Sequence, residues 1–233
     1  VGNGSFNSTI DIARDLSNSL VRVAKGAGLH CEAILTDMNQ VLGKSAGHTL
    51  EILECIKYIK NDFKDHRLEK ITNELISSLL VNIYKISKEE AYNKINTVIN
   101  NGLAAEKFEM MVAALGGPKN ILSSYENDLI NTSIRKDVFS SEQGWIENIH
   151  TRELGLILIE LGGGRKQVTD KINYGVGYDN VLNIGDEVNS STPLLSLYSS
   201  KNIDNNLINK IKGCFIISDK KTQKLSEIFE TIN

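Results

Sequence analysis

A chain of 233 residues with 41% hydrophobic and 24% charged side chains has the composition of an ordinary globular protein, long enough for one large or two small domains. Its net charge of −3 presents no basic surface to nucleic acid or an anionic membrane, and no apolar run reaches the roughly 18 residues of a membrane span. Cys31, Cys55 and Cys214 are odd in number, far apart and without Cys-x-x-Cys spacing, so they read as reduced thiols of a cytoplasmic protein.

In chain order, Gly2-x-Gly4 precedes a helical pattern, which is the position of a strand-to-helix turn. No strand pattern stands before it, so the chain reads as the C-terminal part of a longer protein. Such a turn either packs a strand tightly against a helix or cradles phosphate on backbone N–H groups. Ile12, Leu16, Leu20, Val23 and Ala27 recur at spacings of three and four, predicting a helix over residues 8–27 that Gly28 stops. Residues 31–35 form a short apolar run, a predicted strand, and a polar loop follows. Leu50, Leu53, Ile56 and Ile59 share one face of a helix expected from Ser45 onward. Residues 67–115 are wholly helical in pattern. Leu68, Ile71, Leu75, Leu79 and Ile83 line one helix, Ser87 and Glu90 form a capping box for the next, and Gly116-Gly117-Pro118 breaks the third. This region reads as a helical layer over a sheet, with no chemistry of its own.

Beyond about residue 131 the pattern changes to short strands with glycine turns, predicted over residues 134–139, 144–150, 171–177 and 194–198. The turns at 183–188 and 193–195 resemble those of barrel-sandwich modules, but no Lys stands at a hairpin tip to carry a lipoyl or biotinyl group. A helix over residues 203–211, an edge strand over 215–218 and a frayed Lys-rich end complete the expectation. The expected fold class is α/β: a mixed, mostly parallel sheet with helical cover over residues 1–130, then a small α+β barrel-sandwich-like domain over residues 131–233.

Asp37 stands at the C-terminal end of a predicted strand, where α/β domains place their ligands. It reads either as a general base or, more commonly for such a residue, as a carboxylate that orders its loop. His30, His48, His66 and His150 have no paired spacing for a metal, and His48 reads as a helix-start residue. Gly162-Gly163-Gly164-Arg165-Lys166 is either a turn between strands or a mobile loop whose two cations meet an anion.

Four blocks in order carry more. The glycine-rich start is followed by Thr36-Asp37-Met38-Asn39-Gln40, then by Asn101-Gly102 through Met111-Val112-Ala113-Ala114 to Gly117-Pro118. The last is Leu161-Gly162-Gly163-Gly164-Arg165 leading to Ile172-Asn173-Tyr174-Gly175-Val176-Gly177-Tyr178. From Val1 to about Ser200 this wording resembles the thymidine/pyrimidine-nucleoside phosphorylase family, closer to its thymidine branch. The family's Lys-His-Ser and Gly-Gly-Val-Gly-Asp phosphate motifs, and its base-binding Arg with a Ser-x-x-x-Lys pair, do not occur in these residues. The resemblance therefore implies no catalytic residue in this chain, with the missing N-terminal half supplying most of the active site.

It further implies reversible phosphorolysis of thymidine to thymine and 2-deoxyribose 1-phosphate. Inorganic phosphate is then the co-substrate, with no organic cofactor, in a cytoplasmic homodimer without nucleic-acid or membrane partners. An apolar residue at the position of Phe6 covers the pyrimidine base in the family; core packing is the other reading of Phe6. Leu42, Ser45 and Glu54 keep the family's spacing for a monovalent cation held by two carbonyls and a carboxylate, as a hard ion prefers. Ser45 replaces an Ala there, which is harmless if only its carbonyl binds. The alternatives are a pyrimidine-nucleoside phosphorylase that also accepts uridine, and a non-catalytic scaffold.

Overall fold

The computed structural model describes residues 1–129 and 134–233, so the expected domain boundary at 130/131 lies outside the described residues. The elements run α1 (Ile10–Gly26), β1 (Ala33–Thr36), α2 (His48–Ile59), α3 (His66–Tyr84), α4 (Lys88–Asn100), α5 (Leu103–Ala114) and α6 (Ile121–Leu129). Then follow β2 (Ile134–Val138), β3 (Gly144–Ile149), α7 (Thr151–Leu161), β4 (Gly177–Asp179) and β5 (Glu187–Val188). The chain closes with β6 (Leu195–Ser199), α8 (Asn205–Lys212), β7 (Phe215–Ser218) and β8 (Ile228–Ile232).

Local chemistry accounts for the helix ends. Thr9 caps α1 by accepting the Ile12 N–H, Asp65 caps α3 through the N–H groups of Arg67 and Leu68, and Ser87 and Glu90 close the expected capping box on α4. The helix expected from Ser45 starts three residues later. Ala46 is held in a β-bridge with Tyr178, so the chain cannot turn helical until it has passed Gly47.

The mostly parallel sheet does not form among the described residues: the strand pairings are all antiparallel. A parallel pair needs a crossover between two strands, and β1 is the only strand in residues 1–129. Its partner is β8, with Ala33 opposite Ile232 and Leu35 opposite Glu230. The tail expected to fray is therefore a paired strand. Residues 171–176 are a loop, and the strand begins only at Gly177 as β4, while α6 and α7 were not expected at all.

Two three-stranded sheets, β2-β6-β4 and β5-β3-β7, share one core with α7 and α8. Ile146, Ile149, Leu154, Tyr178, Leu194, Leu195, Leu197 and Ile211 are its large, wholly buried side chains. Burying each such side chain contributes about 1.5–3 kcal/mol. The helices α2 to α6 pack on one another, with Leu53, Ile56, Ile121 and Tyr125 in one cluster and Tyr58, Leu68, Ile95 and Ile99 in another.

Helix α1 buries Ala13, Ser17 and Val21, the first and last against Leu35 and Ile232. The periodic stripe of α1 is not its buried face: Ile12, Leu16, Leu20 and Val23 are 46% to 66% exposed. Leu75, Leu79 and Ile83 of α3 are exposed as well. Helical periodicity located both helices, and on α3 the N-terminal part of the stripe is core, with Leu68 and Ile71 buried. Among the described residues no helix is long and apolar enough to cross a membrane, and Cys31, Cys55 and Cys214 are free thiols.

Candidate functional site

The loop over residues 36–47 is where the parts of the chain meet, and Asp37 organises it. Asp37 Oδ1 accepts the Asn39 N–H at 2.9 Å and the Asn39 amide at 2.8 Å, while Oδ2 accepts the Gln40 amide at 2.9 Å. Arg67, in the first turn of α3, brings its guanidinium to 3.1 Å from Oδ2. That contact joins two charges without a hydrogen-bonding angle at this nitrogen. The remaining guanidinium nitrogens donate to the carbonyls of Val41 and Asp37. Asp37 thus orders its loop, the commoner of its two sequence readings.

From this loop, contacts radiate to both ends of the chain. Gln40 accepts the Ile184 N–H at 2.9 Å, Thr151 donates its hydroxyl to the Asn39 carbonyl at 2.8 Å, and Lys44 pairs with Asp186 at 3.2 Å. The glycine-rich start lies against the same loop. A Cβ at Gly2 would stand 2.6 Å from Asn39 Oδ1, so no side chain fits there. Asn3 accepts the Thr151 N–H and donates to the Ile149 carbonyl, both at 2.8 Å. Gly2-x-Gly4 is a packing turn among these residues.

Glu54 projects from α2 into the second half of the loop. Its Oε1 accepts the Lys44 N–H at 2.7 Å, and its Oε2 accepts both the Ser45 N–H at 3.2 Å and the Ser45 hydroxyl. A Cβ at Gly43 would collide with Glu54 Oε1, so glycine is what lets the backbone approach the carboxylate. Burial pushes the Glu54 carboxyl above its ordinary pKa, against the hydrogen bonds from Ser45 and Lys44. The carboxylate borders an open cleft of about 360 Å³, lined also by Lys57, Phe63, Tyr125 and Asp179.

Leu42 and Ser45 lie on this same loop, so the structure brings the three predicted cation residues together. Among the described residues neither the Leu42 nor the Ser45 carbonyl accepts a hydrogen bond, and no trio of His, Cys, Asp or Glu forms a metal site. An all-oxygen set with two uncommitted carbonyls suits a hard monovalent ion. The Ser45 hydroxyl is not idle, as the spacing alone suggested; it holds the carboxylate.

Phe6 stands apart, wholly exposed between Gly4 and α1 among the described residues. His48 opens α2, with its ring edge-on to Tyr174 at 5.3 Å. Gly162 has a φ of 101° and caps the C-terminus of α7, so the Gly162–Gly164 run ends a helix and is not a turn between strands. Arg67 went unrecognised in the sequence. A cation in the first turn of a helix opposes the macrodipole, and that misfit was the one available signal. Asn3 and Thr151 carried none.

Residues 145–218 match the family model described as the pyrimidine nucleoside phosphorylase C-terminal domain. A thymidine phosphorylase of Colwellia psychrerythraea (strain 34H / ATCC BAA-681) is 40% identical over 200 residues, in its C-terminal part. This chain belongs to the thymidine/pyrimidine-nucleoside phosphorylase family. The match covers 85% of this chain and 46% of the relative, so the chain spans about half the length of the phosphorylase it resembles. It takes in the Asp37 loop and most of the sandwiched sheets, and it identifies that loop as family scaffold joined to the C-terminal domain.

Proposed function

We propose that the chain serves as the C-terminal part of an enzyme that cleaves thymidine reversibly with inorganic phosphate, a pentosyl transfer giving thymine and 2-deoxyribose 1-phosphate. The observation that carries this reading is the 40% identity with a thymidine phosphorylase across both the Asp37 loop and the C-terminal domain. The groups that hold phosphate and stabilise the departing pyrimidine anion belong to the part of the enzyme outside these residues, where preorganised donors do most of the work. This chain contributes the rigid floor of the site. Phe6, an exposed ring on a short turn pinned by Gly2 and Gly4, covers the pyrimidine and excludes water.

The Leu42 and Ser45 carbonyls and the Glu54 carboxylate would hold a monovalent cation, which would supply positive charge to this loop. The ion supplies charge and geometry only, and no organic cofactor takes part. The enzyme works as a homodimer in the cytoplasm. A broader pyrimidine specificity, with uridine accepted, is favoured by one observation, the pyrimidine nucleoside phosphorylase description of the domain matched over residues 145–218.

The test joins the part of the Colwellia enzyme that precedes the match to this chain ahead of Val1. Phosphate-dependent thymine release from the chimera, with none from the 233 residues alone, is the expected result. Release by the isolated chain, or none from a folded chimera, would refute the reading. Comparable rates on uridine and thymidine would select the broader specificity.

A further inference from the structure

Helix α7 has no cap from its own neighbourhood. His150 precedes it, but the His150 side chain accepts no hydrogen bond from the first turn. Asn3 takes that role from 148 residues away. Its side-chain oxygen accepts the Thr151 N–H at 2.8 Å and the Arg152 N–H at 3.4 Å, and its side-chain nitrogen donates to the Ile149 carbonyl at 2.8 Å. The first N–H groups of a helix find no partner inside it, so the bond to Asn3 answers a need that α7 cannot meet locally.

Thr151 completes the joint from the helix side. Its hydroxyl donates to the Asn39 carbonyl at 2.8 Å, while Asn39 Oδ1 accepts the Asn3 N–H at 3.1 Å and the Met38 carbonyl accepts the Gly4 N–H at 2.9 Å. A Cβ at Gly4 would stand 2.7 Å from the Met38 carbonyl and 3.0 Å from the Thr151 methyl, so the backbone lies directly on both. Within the turn, Gly2 donates to the Asn7 carbonyl and Ser5 to the Gly2 carbonyl, each at 3.0 Å. Residues 2–7 are thus closed on themselves and seated on two supports, the Asp37 loop and the first turn of α7. Phe6 stands on this turn with its ring wholly exposed. No packing fixes the ring, so the seat of the turn sets where it stands.

The structure assigns Asn3 and Thr151 as positioning residues of the nucleoside site: they seat the turn of residues 2–7 so that the Phe6 ring covers the pyrimidine, and they tie base recognition to the C-terminal domain. Neither touches substrate, and both act through the ring. A ring on a fixed turn gives up little freedom when a base stacks on it. A ring on a loose turn must be ordered at the moment of binding, and that ordering is subtracted from the affinity. The inference rests on the functional reading above, in which Phe6 meets the base.

The test uses the chimera. Thr151→Val removes the hydroxyl and keeps the methyl that lies against Gly4. It should raise the KM for thymidine about threefold, with kcat and the KM for phosphate unchanged, and Thr151→Ser should restore the parent value. In a Phe6→Ala background Thr151→Val should add nothing further, because the ring it positions is gone. Hydrogen exchange supplies a readout apart from activity. The Gly4 amide in Thr151→Val, and the Thr151 and Arg152 amides in Asn3→Ala, should exchange about tenfold faster than in the parent. Unchanged exchange at these amides overturns the proposal, as does an unmoved KM or a KM shift that persists undiminished without Phe6. A folded chimera that turns over no thymidine would refute the functional reading and the base contact with it, and faster exchange at these amides would then leave only the seat of the turn standing.

Discussion

Arg67 and Asp37 face each other at 3.1 Å with side chains 6% and 0% exposed, linking the first turn of α3 to the end of β1. Two charges out of water stabilise a fold only while both are present, since either one alone is left buried without compensation. Arg67→Met should therefore destabilise the chain by about 3–5 kcal/mol. The shift should appear as a lower urea midpoint with an unchanged slope. A loss below about 1 kcal/mol would show that the pair behaves as a surface ion pair.

Glu54 gives a prediction that separates charge from shape. Its carboxyl is raised by burial, opposed by the Ser45 and Lys44 hydrogen bonds. A raised folded-state pKa means the cost of ionising Glu54 is absent in acid and fully present once the pH exceeds the folded pKa. A bound cation offsets that cost. In the chimera, potassium should raise the melting temperature once the pH exceeds the folded pKa of Glu54, relative to tetramethylammonium at equal ionic strength. Glu54→Gln should abolish the difference. Equal melting temperatures in the two salts would remove the cation from the account.

Ser45→Ala should not be silent. The variant keeps the carbonyl but loses the hydroxyl that donates to Glu54, at about 1–2 kcal/mol, and should raise the Glu54 pKa further. Titration of the Glu54 carboxyl by NMR in parent and variant checks this; coincident curves would contradict the assigned hydrogen bond.

Acid sensitivity should pass through Asp186. Burial alone would raise its pKa, but the Asn183 N–H and the Lys44 and Lys224 ammonium groups outweigh it and hold it below 3.8. A depressed carboxyl stabilises the fold above its unfolded pKa and loses that contribution as the pH falls through the folded value. Asp186→Asn should cost about 1–3 kcal/mol at pH 7, and the gap between parent and variant should close as the pH falls through the depressed folded pKa of Asp186. Urea unfolding from pH 2 to 7 would reveal the convergence or its absence.

Phe6→Ala should leave stability within about 0.5 kcal/mol, since the ring touches little. In an active chimera it should weaken nucleoside binding by about 1 kcal/mol. An unchanged KM for thymidine would separate Phe6 from the base.

Local signals in the sequence determined what was local in the fold. Period located α1 and α3, and the Ser87–Glu90 capping box located α4, because such capping atoms lie within three residues of the groups they satisfy. The wording around Asp37 determined the family. Tertiary structure alone decided which face of α1 is buried, since Ala13 packs on Leu35 and Ile232, far along the chain. It also decided that the Lys-rich tail returns as β8 to pair with β1, and that Arg67 is a buried partner of Asp37 thirty residues away. Such contacts depend on distance in space, and no spacing along the chain encodes them.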